Sequence, residues 1–373
     1  MSHKTNLTKQ TATTTTPKLG LNVLGGKSVR TRGGETHTGV VSYTVKRMLL
    51  LIPVLLGVTF VSFVVSFVIT PDVTRVWTGG RPSPAAREAL VARYHLNEPV
   101  WVQYYYYLVN FLTGNWGLVP STGRSVLGDI ELFFPATVEL AIGAIILVLV
   151  IGISLGIVAS IYRDRKIDHS IRLFYLTGYS SPPFLVALLV LLVFGYTLRL
   201  FPTQGRLSSS LMPPYHITGL YILDSLLTGN WPVFQDALWH VVLPATALAL
   251  TYFGVVTRVT RTSMLEVFSK EFITASYAKG LSRRSVIYKH ALRNAMIPIT
   301  TISGLMLGFL LGGTVVIENI FQWPGVGSYA VRSILTYDFP SVFGVTALFT
   351  VAVVVSNLVA DILYAFLDPR IKI

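Results

Sequence analysis

Six long apolar stretches alternate with polar ones along the chain. They cover about Met48–Thr70, Pro135–Ala159, Leu173–Leu198, Ala237–Val256, Ile297–Ile317 and Ser341–Tyr364. Each is near the ~20 residues that a helix needs to cross the hydrocarbon of a bilayer. The third is interrupted by Ser181-Pro182-Pro183, which breaks or kinks a helix because proline has no N–H to donate. Glycines at 143, 152 and 156 in the second stretch and at 304, 308, 312 and 313 in the fifth let helices approach closely. The pattern predicts an all-α, polytopic membrane protein with six transmembrane helices.

The polar stretches differ from one another. Residues 1–43, rich in Thr, Lys and Gly, lack apolar periodicity and read as a disordered tail. Segments at about 71–134, 199–236 and 318–340 are mixed, and the first carries Trp101 and Tyr104 to Tyr107, an aromatic run suited to a membrane interface. His240, at the start of the fourth stretch, reads as a hydrogen-bonded interface residue rather than a metal ligand. The remaining segment, about 258–296, is a basic island with eight Lys/Arg against two Glu. Within it Phe268, Phe272 and Ala275 share a helical stripe. Gly280 sits where a helix would end in a left-handed residue, and Ser282 is placed to cap a second helix. The island therefore predicts helix, glycine break, helix.

Charge supplies an orientation. The chain is 52% hydrophobic and 13% charged, with a net charge of +13. Of its 30 Lys/Arg, 22 fall in the N-terminal segment, the 163–172 turn, the island and the C-terminal tail. Cytoplasmic loops collect positive charge, so both termini and the island are expected in the cytoplasm, and the basic balance needs no nucleic acid. Without cysteine there is no disulfide or thiolate chemistry. No Gly-x-x-x-x-Gly-Lys-Ser/Thr loop is present, nor a His-Glu-x-x-His pattern. The residues thus point to a transport pathway driven by a partner, with a self-contained, ATP-independent channel as the alternative. Intramembrane acids are costly and mark pathways or structural contacts. The candidates are Glu139 near the outer end of the second stretch, where partial solvation is expected, Glu318 after the fifth, and Asp361 near the inner end of the sixth.

Several stretches resemble one family. Arg261-Thr-Ser-Met-Leu-Glu-Val267, Thr274-Ala-Ser-Tyr-Ala-Lys-Gly-Leu281 and His290-Ala-Leu-Arg-Asn-Ala-Met-Ile-Pro298 are similar to the cytoplasmic loop of ABC importer permeases. The nearest likeness is the B-type permease of the dipeptide/oligopeptide/nickel group. Leu49 to Val58, Pro135 to Leu140, Gly312 to Gly327 and Asp361 to Arg370 add to it, so the resemblance spans about 44–373. It implies a cell-membrane permease, itself not an enzyme, that forms half of a pathway for short peptides with a second homologous permease. Oligosaccharides or nickel chelates are the alternative cargoes of that machinery. Two ATPase subunits would hold ATP and Mg, this chain having no cofactor of its own, and an extracytoplasmic solute-binding protein would deliver substrate. The implied ATPase-coupling residues are Phe268, Glu271, Phe272, Thr274, Ala275, Ser276, Lys279, Gly280 and Leu281. Thr274 stands where the family's loop usually has an acid, which leaves Glu271 as the nearby acidic candidate.

Overall fold

The computed structural model describes residues 83–119, 122–336 and 338–367, together with isolated positions between 49 and 74. The tail at 1–43, about half of the first predicted stretch (Met48–Thr70) and residues 368–373 lie outside the described residues. Among the described residues the fold is helical, with one isolated antiparallel bridge between Leu118 and Ser125. We number the helices α1 (Pro84–Tyr94), α2 (Val100–Leu112), α3 (Val126–Ile161), α4 (Lys166–Ser180), α5 (Pro183–Thr197), α6 (Tyr221–Leu227), α7 (Trp231–Phe268), α8 (Glu271–Ala278), α9 (residues 283–320), α10 (Val326–Leu335) and α11 (Phe339–Leu367). By length and composition α3, α7 and the Arg283–Gly312 part of α9 can each cross a membrane. The pair α4–α5 qualifies as a fourth if its 109° bend is counted as one broken span.

The α3–α7 pair is the centre of the bundle, and its sequence explains why. Gly152 faces Val256 and Gly156 faces Thr260 so closely that a Cβ on either glycine would overlap the facing side chain. Small residues one turn apart bring the two backbones together, which is how helices associate where the solvent is itself apolar. Leu140, Ala144 and Val148 of α3 and Ala245, Leu248 and Val256 of α7 are fully buried at or near this contact, and α9 packs onto both helices. On the other side of α7, Gly254 lies against Tyr175 and Gly178 against the Leu250 carbonyl, which seats α4. The α4–α5 elbow therefore lies beside Leu250, at the middle of α7.

Two helices are longer than their apolar patterns predict. The hydroxyl of Ser125 accepts from the Gly128 N–H at 3.1 Å, so α3 starts at Val126 and Pro135 falls inside it. That corrects the outer segment expected to reach residue 134. The fourth stretch, expected to end near Val256, runs on to Phe268 because Thr257, Thr260, Met264 and Val267 keep facing the core. The Thr257 hydroxyl satisfies itself on the Phe253 carbonyl at 3.0 Å, as β-hydroxyls in buried helices do. The basic island is thus a continuation of α7 for its first eleven residues (258–268).

At the opposite end of the bundle the mixed segments form an ordered cap. Asp224 accepts from the N–H groups of Ile217, Thr218 and Gly219 and from the Thr218 hydroxyl at 2.6–3.2 Å, closing the loop before α6. Asp236 accepts from both the N–H and hydroxyl of Ser208 at 2.7 Å. His240 is buried with Nδ1 2.8 Å from the Asp236 carbonyl oxygen, as a hydrogen-bonded residue. The Tyr329 hydroxyl donates to Ser341 Oγ, which donates to Asp338, both at 2.6 Å, linking α10 to the start of α11. Tyr104 packs against Phe60 and Phe63 while Trp101 stays 75% exposed, as an interface aromatic does.

Candidate coupling site

At the end of the bundle that carries the basic island, α7 stops at Phe268, and Ser269–Lys270 turn the chain into the eight-residue helix α8. Glu271 stands in its first turn, a favourable place for an acid beside unsatisfied N–H groups. Ile273 is buried with Val267, Val286 and Ile287, and Ser276 is buried with its hydroxyl on the Phe272 carbonyl at 2.7 Å. These two residues fasten α8 to the end of α7 and to the π-helical turn Val286–Ala291 of α9. A cleft of about 240 Å³, lined in part by Ile161 and Tyr277, separates it from the end of α3.

The opposite face of α8 is open. Phe272, Thr274, Ala275, Tyr277 and Lys279 are exposed, and Leu281 follows at 37% exposure. The predicted stripe is therefore corrected in two ways. Phe268 belongs to α7 and packs against the core, and the residue that anchors α8 inward is Ile273, with Phe272 and Ala275 turned outward. The boundary was obscured because helical spacing runs through the break without Gly or Pro. Gly280 has φ +76°, with nothing near the position a Cβ would take, so it is the backbone conformation that calls for glycine. Ser282 accepts from the Ser285 N–H at 3.3 Å and starts α9.

Just above α8 lies a charge cluster that the sequence pattern did not single out. Asp168, in the first turn of α4, is fully buried. It accepts from Arg261 Nε at 2.8 Å and Nη2 at 2.7 Å, a two-pronged contact between helices 93 residues apart in sequence. Arg172, one turn along α4, holds the same carboxylate through Nε at 3.1 Å and through Nη2, and the Asp164 N–H donates at 2.9 Å. Burial alone would raise the Asp168 pKa, but the hydrogen bonds from Arg261, Arg172 and Asp164 outweigh it and hold it well below the usual carboxylate range. The one local sign in the sequence is Asp164, Asp168 and Arg172 at four-residue spacing amid positive charge.

Two of the three acids proposed for a pathway, Glu139 and Glu318, are engaged in the cap. Glu139 is buried rather than partly solvated, because Arg206 folds over it. Arg206 Nη2 lies 2.6 Å from Glu139 Oε2 and also donates to the Gly219 carbonyl at 3.1 Å. The second carboxylate oxygen of Glu139 accepts from the Ile222 N–H at 2.8 Å, and the Arg206 guanidinium stacks 3.8 Å from the Tyr221 ring centre. Glu318, also buried, accepts from the Thr137 hydroxyl at 2.7 Å and the Ser328 N–H at 2.9 Å. Thr137 in turn accepts from the Val326 N–H, and Trp323 Nε1 donates to the Ala136 carbonyl, both at 2.8 Å. Glu318 thereby caps α10 and ties it to α3. Asp361 lies within α11.

Comparison with known proteins adds the family. A model of the binding-protein-dependent transport system inner membrane component matches residues 149–373, and a model of the N-terminal part of such membrane components matches 40–141. The probable D,D-dipeptide transport system permease protein DdpB of Escherichia coli (strain K12) is 43% identical over 321 residues, 86% of this chain and 94% of that protein. The dipeptide transport system permease protein DppB of Alkalihalophilus pseudofirmus is 38% identical over 334 residues, 89% of this chain and 100% of that protein. The oligopeptide transport system permease protein AppB of Bacillus subtilis (strain 168) is 36% identical over 332 residues, 89% of this chain and 99% of that protein. With one model covering more than half of the chain and these relatives matched over nearly their whole length, the chain belongs to the binding-protein-dependent transport system inner membrane components, and is a multi-pass permease subunit of an ABC importer rather than its ATPase.

Proposed function

We propose that this permease imports short peptides and that α8 is its coupling helix, docking on an ATPase subunit in the cytoplasm. The observation that carries the docking reading is the two-sidedness of α8: Ile273 and Ser276 fix it to the bundle while Phe272, Tyr277 and Leu281 offer exposed apolar surface beside basic residues. Exposed apolar side chains clustered on a short, anchored helix mark a surface that a partner covers. The peptide assignment is supported by the names of the relatives, which are permeases of dipeptide and oligopeptide systems. In this reading the chain has six spans with both termini cytoplasmic, the first span lying around Met48–Thr70. It pairs with a second homologous permease and sits on two ATPase subunits, which bind ATP and Mg. A solute-binding protein delivers substrate to the outer cap.

Within that frame Phe272, Ala275 and Leu281 contact the ATPase, Glu271 takes the part of the acid absent at Thr274, and Lys279 with Gly280 ends the helix. Asp361 is retained as a polar residue near the inner end of the last span. The test is to purify the complex after substituting Phe272→Asp and Tyr277→Asp. ATPase subunits are expected to be lost from the complex, and ATP-driven uptake of a mixture of labelled di- and tripeptides with them. Retained ATPase and undiminished uptake would overturn the docking assignment. Uptake that persists without ATP would favour a channel.

A further inference from the structure

Asp168 is the one fully buried carboxylate among the described side chains at the α8 end of the bundle; Asp164 and Glu266 there are largely exposed. It lies on a direct line from the candidate docking helix. Arg261 precedes the end of α7 by seven residues, about 10 Å of helix, and α8 follows immediately. Above the cluster, α4 is seated against α7 at Tyr175–Gly254 and Gly178–Leu250 and then turns through 109° into α5.

We propose that Asp168 is a positioning residue for coupling: by holding Arg261 and Arg172 together it clamps the inner third of α7, with α8 attached, to the start of α4, and so passes displacement of α8 to the α4–α5 elbow. The geometry has the properties such a link needs. A guanidinium engaged through two nitrogens is fixed in both direction and distance, which a single lysine contact is not. The carboxylate is neutralised from two helices at once, so removing it leaves Arg261 and Arg172 as like charges at the same place. The surface ion pair Lys270–Glu266 nearby, at 3.3 Å and exposed on both sides, cannot replace it. Packing alone also joins α4 to α7, through Ile171, Tyr175 and Gly178, but its α7 side is Leu250 to Gly254, about two turns before Arg261 and further from α8.

The inference rests on the reading of α8 as the docking helix, and the test separates the two. The chain has no cysteine of its own, so Asp168→Cys with Arg261→Cys removes the ionic clamp and permits its replacement by a short bifunctional thiol reagent. The complete complex, reconstituted in vesicles of Escherichia coli polar lipid, is assayed for peptide uptake per ATP hydrolysed. The double variant should retain its ATPase subunits, lose about fivefold or more in that ratio, and regain it on cross-linking, while Asp168→Cys or Arg261→Cys alone gains nothing from the reagent. A double variant as tightly coupled as the parent would overturn the clamp. So would a proportional fall of uptake and hydrolysis that cross-linking leaves unchanged, which is the signature of damage to the fold. Arg261→Lys, which keeps the charge without the fork, carries the test if the double variant does not insert, and its ratio should fall in the same direction. If the parent complex itself shows no ATP-dependent uptake, it is the docking reading that fails.

Discussion

At Gly280 a single torsion decides what residue the position accepts. Its surroundings are open, so a side chain there meets no steric neighbour and pays only for the left-handed backbone. Gly280→Val is expected to cost roughly 1–2 kcal/mol at the end of α8 and to weaken ATPase retention, whereas Gly280→Asn, which tolerates that backbone region, should behave nearly as the parent. Copurification of the ATPase with each variant checks this. The Glu139–Arg206 pair obeys a different rule. Both side chains are 5% exposed, so Glu139→Leu strands a buried guanidinium and should destabilise the cap by about 3–5 kcal/mol. Glu139→Leu with Arg206→Met removes both charges and should recover most of that loss, as thermal unfolding in detergent would show. Gly280 and Ser282 were legible in the sequence because their geometry is set by neighbours one to four residues away. The partners of Glu139 and Asp168 were not, since they lie 67 and 93 residues off and only the folded bundle brings them together.

Between residue and molecule stands the α3–α7 crossing, where spacing rather than charge is specified. Gly156→Leu would force a branched side chain against Thr260 and the Thr257 carbonyl. The helices can respond only by separating, so the variant should lose the folded state in detergent even though its hydrophobicity rises; a fluorescence-detected size-exclusion profile is sufficient to see it. The apolar stretches gave the existence of these helices, yet underestimated α3 and α7 by nine and twelve residues at their polar ends. Hydropathy marks where lipid stops. A helix stops where its caps and packing do, and at Val126 and Phe268 those come from Ser125 and from residues such as Met264. Phe268 was assigned to the docking helix for the same reason: periodicity continued across a turn that has no breaker.

Taken as a whole, the molecule has charge clusters of opposite pH behaviour at its two ends. At the capped end, burial first and the negative charge of Asp129 second push the Asp338 carboxyl up, with the Ser341 donors only partly opposing them. A folded pKa above the unfolded value means that its contribution to stability is complete below about pH 4 and is lost as pH rises through the folded value. Asp168, held low by its arginines, contributes fully above its unfolded pKa and loses that only in strong acid. Amide exchange of residues 326–341, corrected for intrinsic rate, should therefore slow at acid pH in the parent and lose this dependence in Asp338→Asn. The 163–172 turn should show no such trend across roughly pH 5–8. Family membership and the permease role were legible because long motifs run almost the length of the chain; the cap was not, since its fold depends on single carboxylates gathering loop N–H groups.

The elbow between α4 and α5 fixes how deep the protein sits. Pro182 and Pro183 have no N–H, so the carbonyls of Gly178 and Tyr179, which would ordinarily bond to them, are left without their helical donors, and Tyr179 is 61% exposed. Bare carbonyls are not tolerated against hydrocarbon. Yet the elbow lies beside Leu250, halfway along α7, where a spanning helix meets the bilayer interior. The break therefore requires something other than acyl chains at mid-depth, either the neighbouring permease or water continuous with one face. A nitroxide placed at position 179 of the assembled complex should be relaxed more strongly by an aqueous nickel chelate than one at Val150, on the exposed side of α3. Equal protection at both positions would mean that the partner seals the elbow and that hydration enters elsewhere.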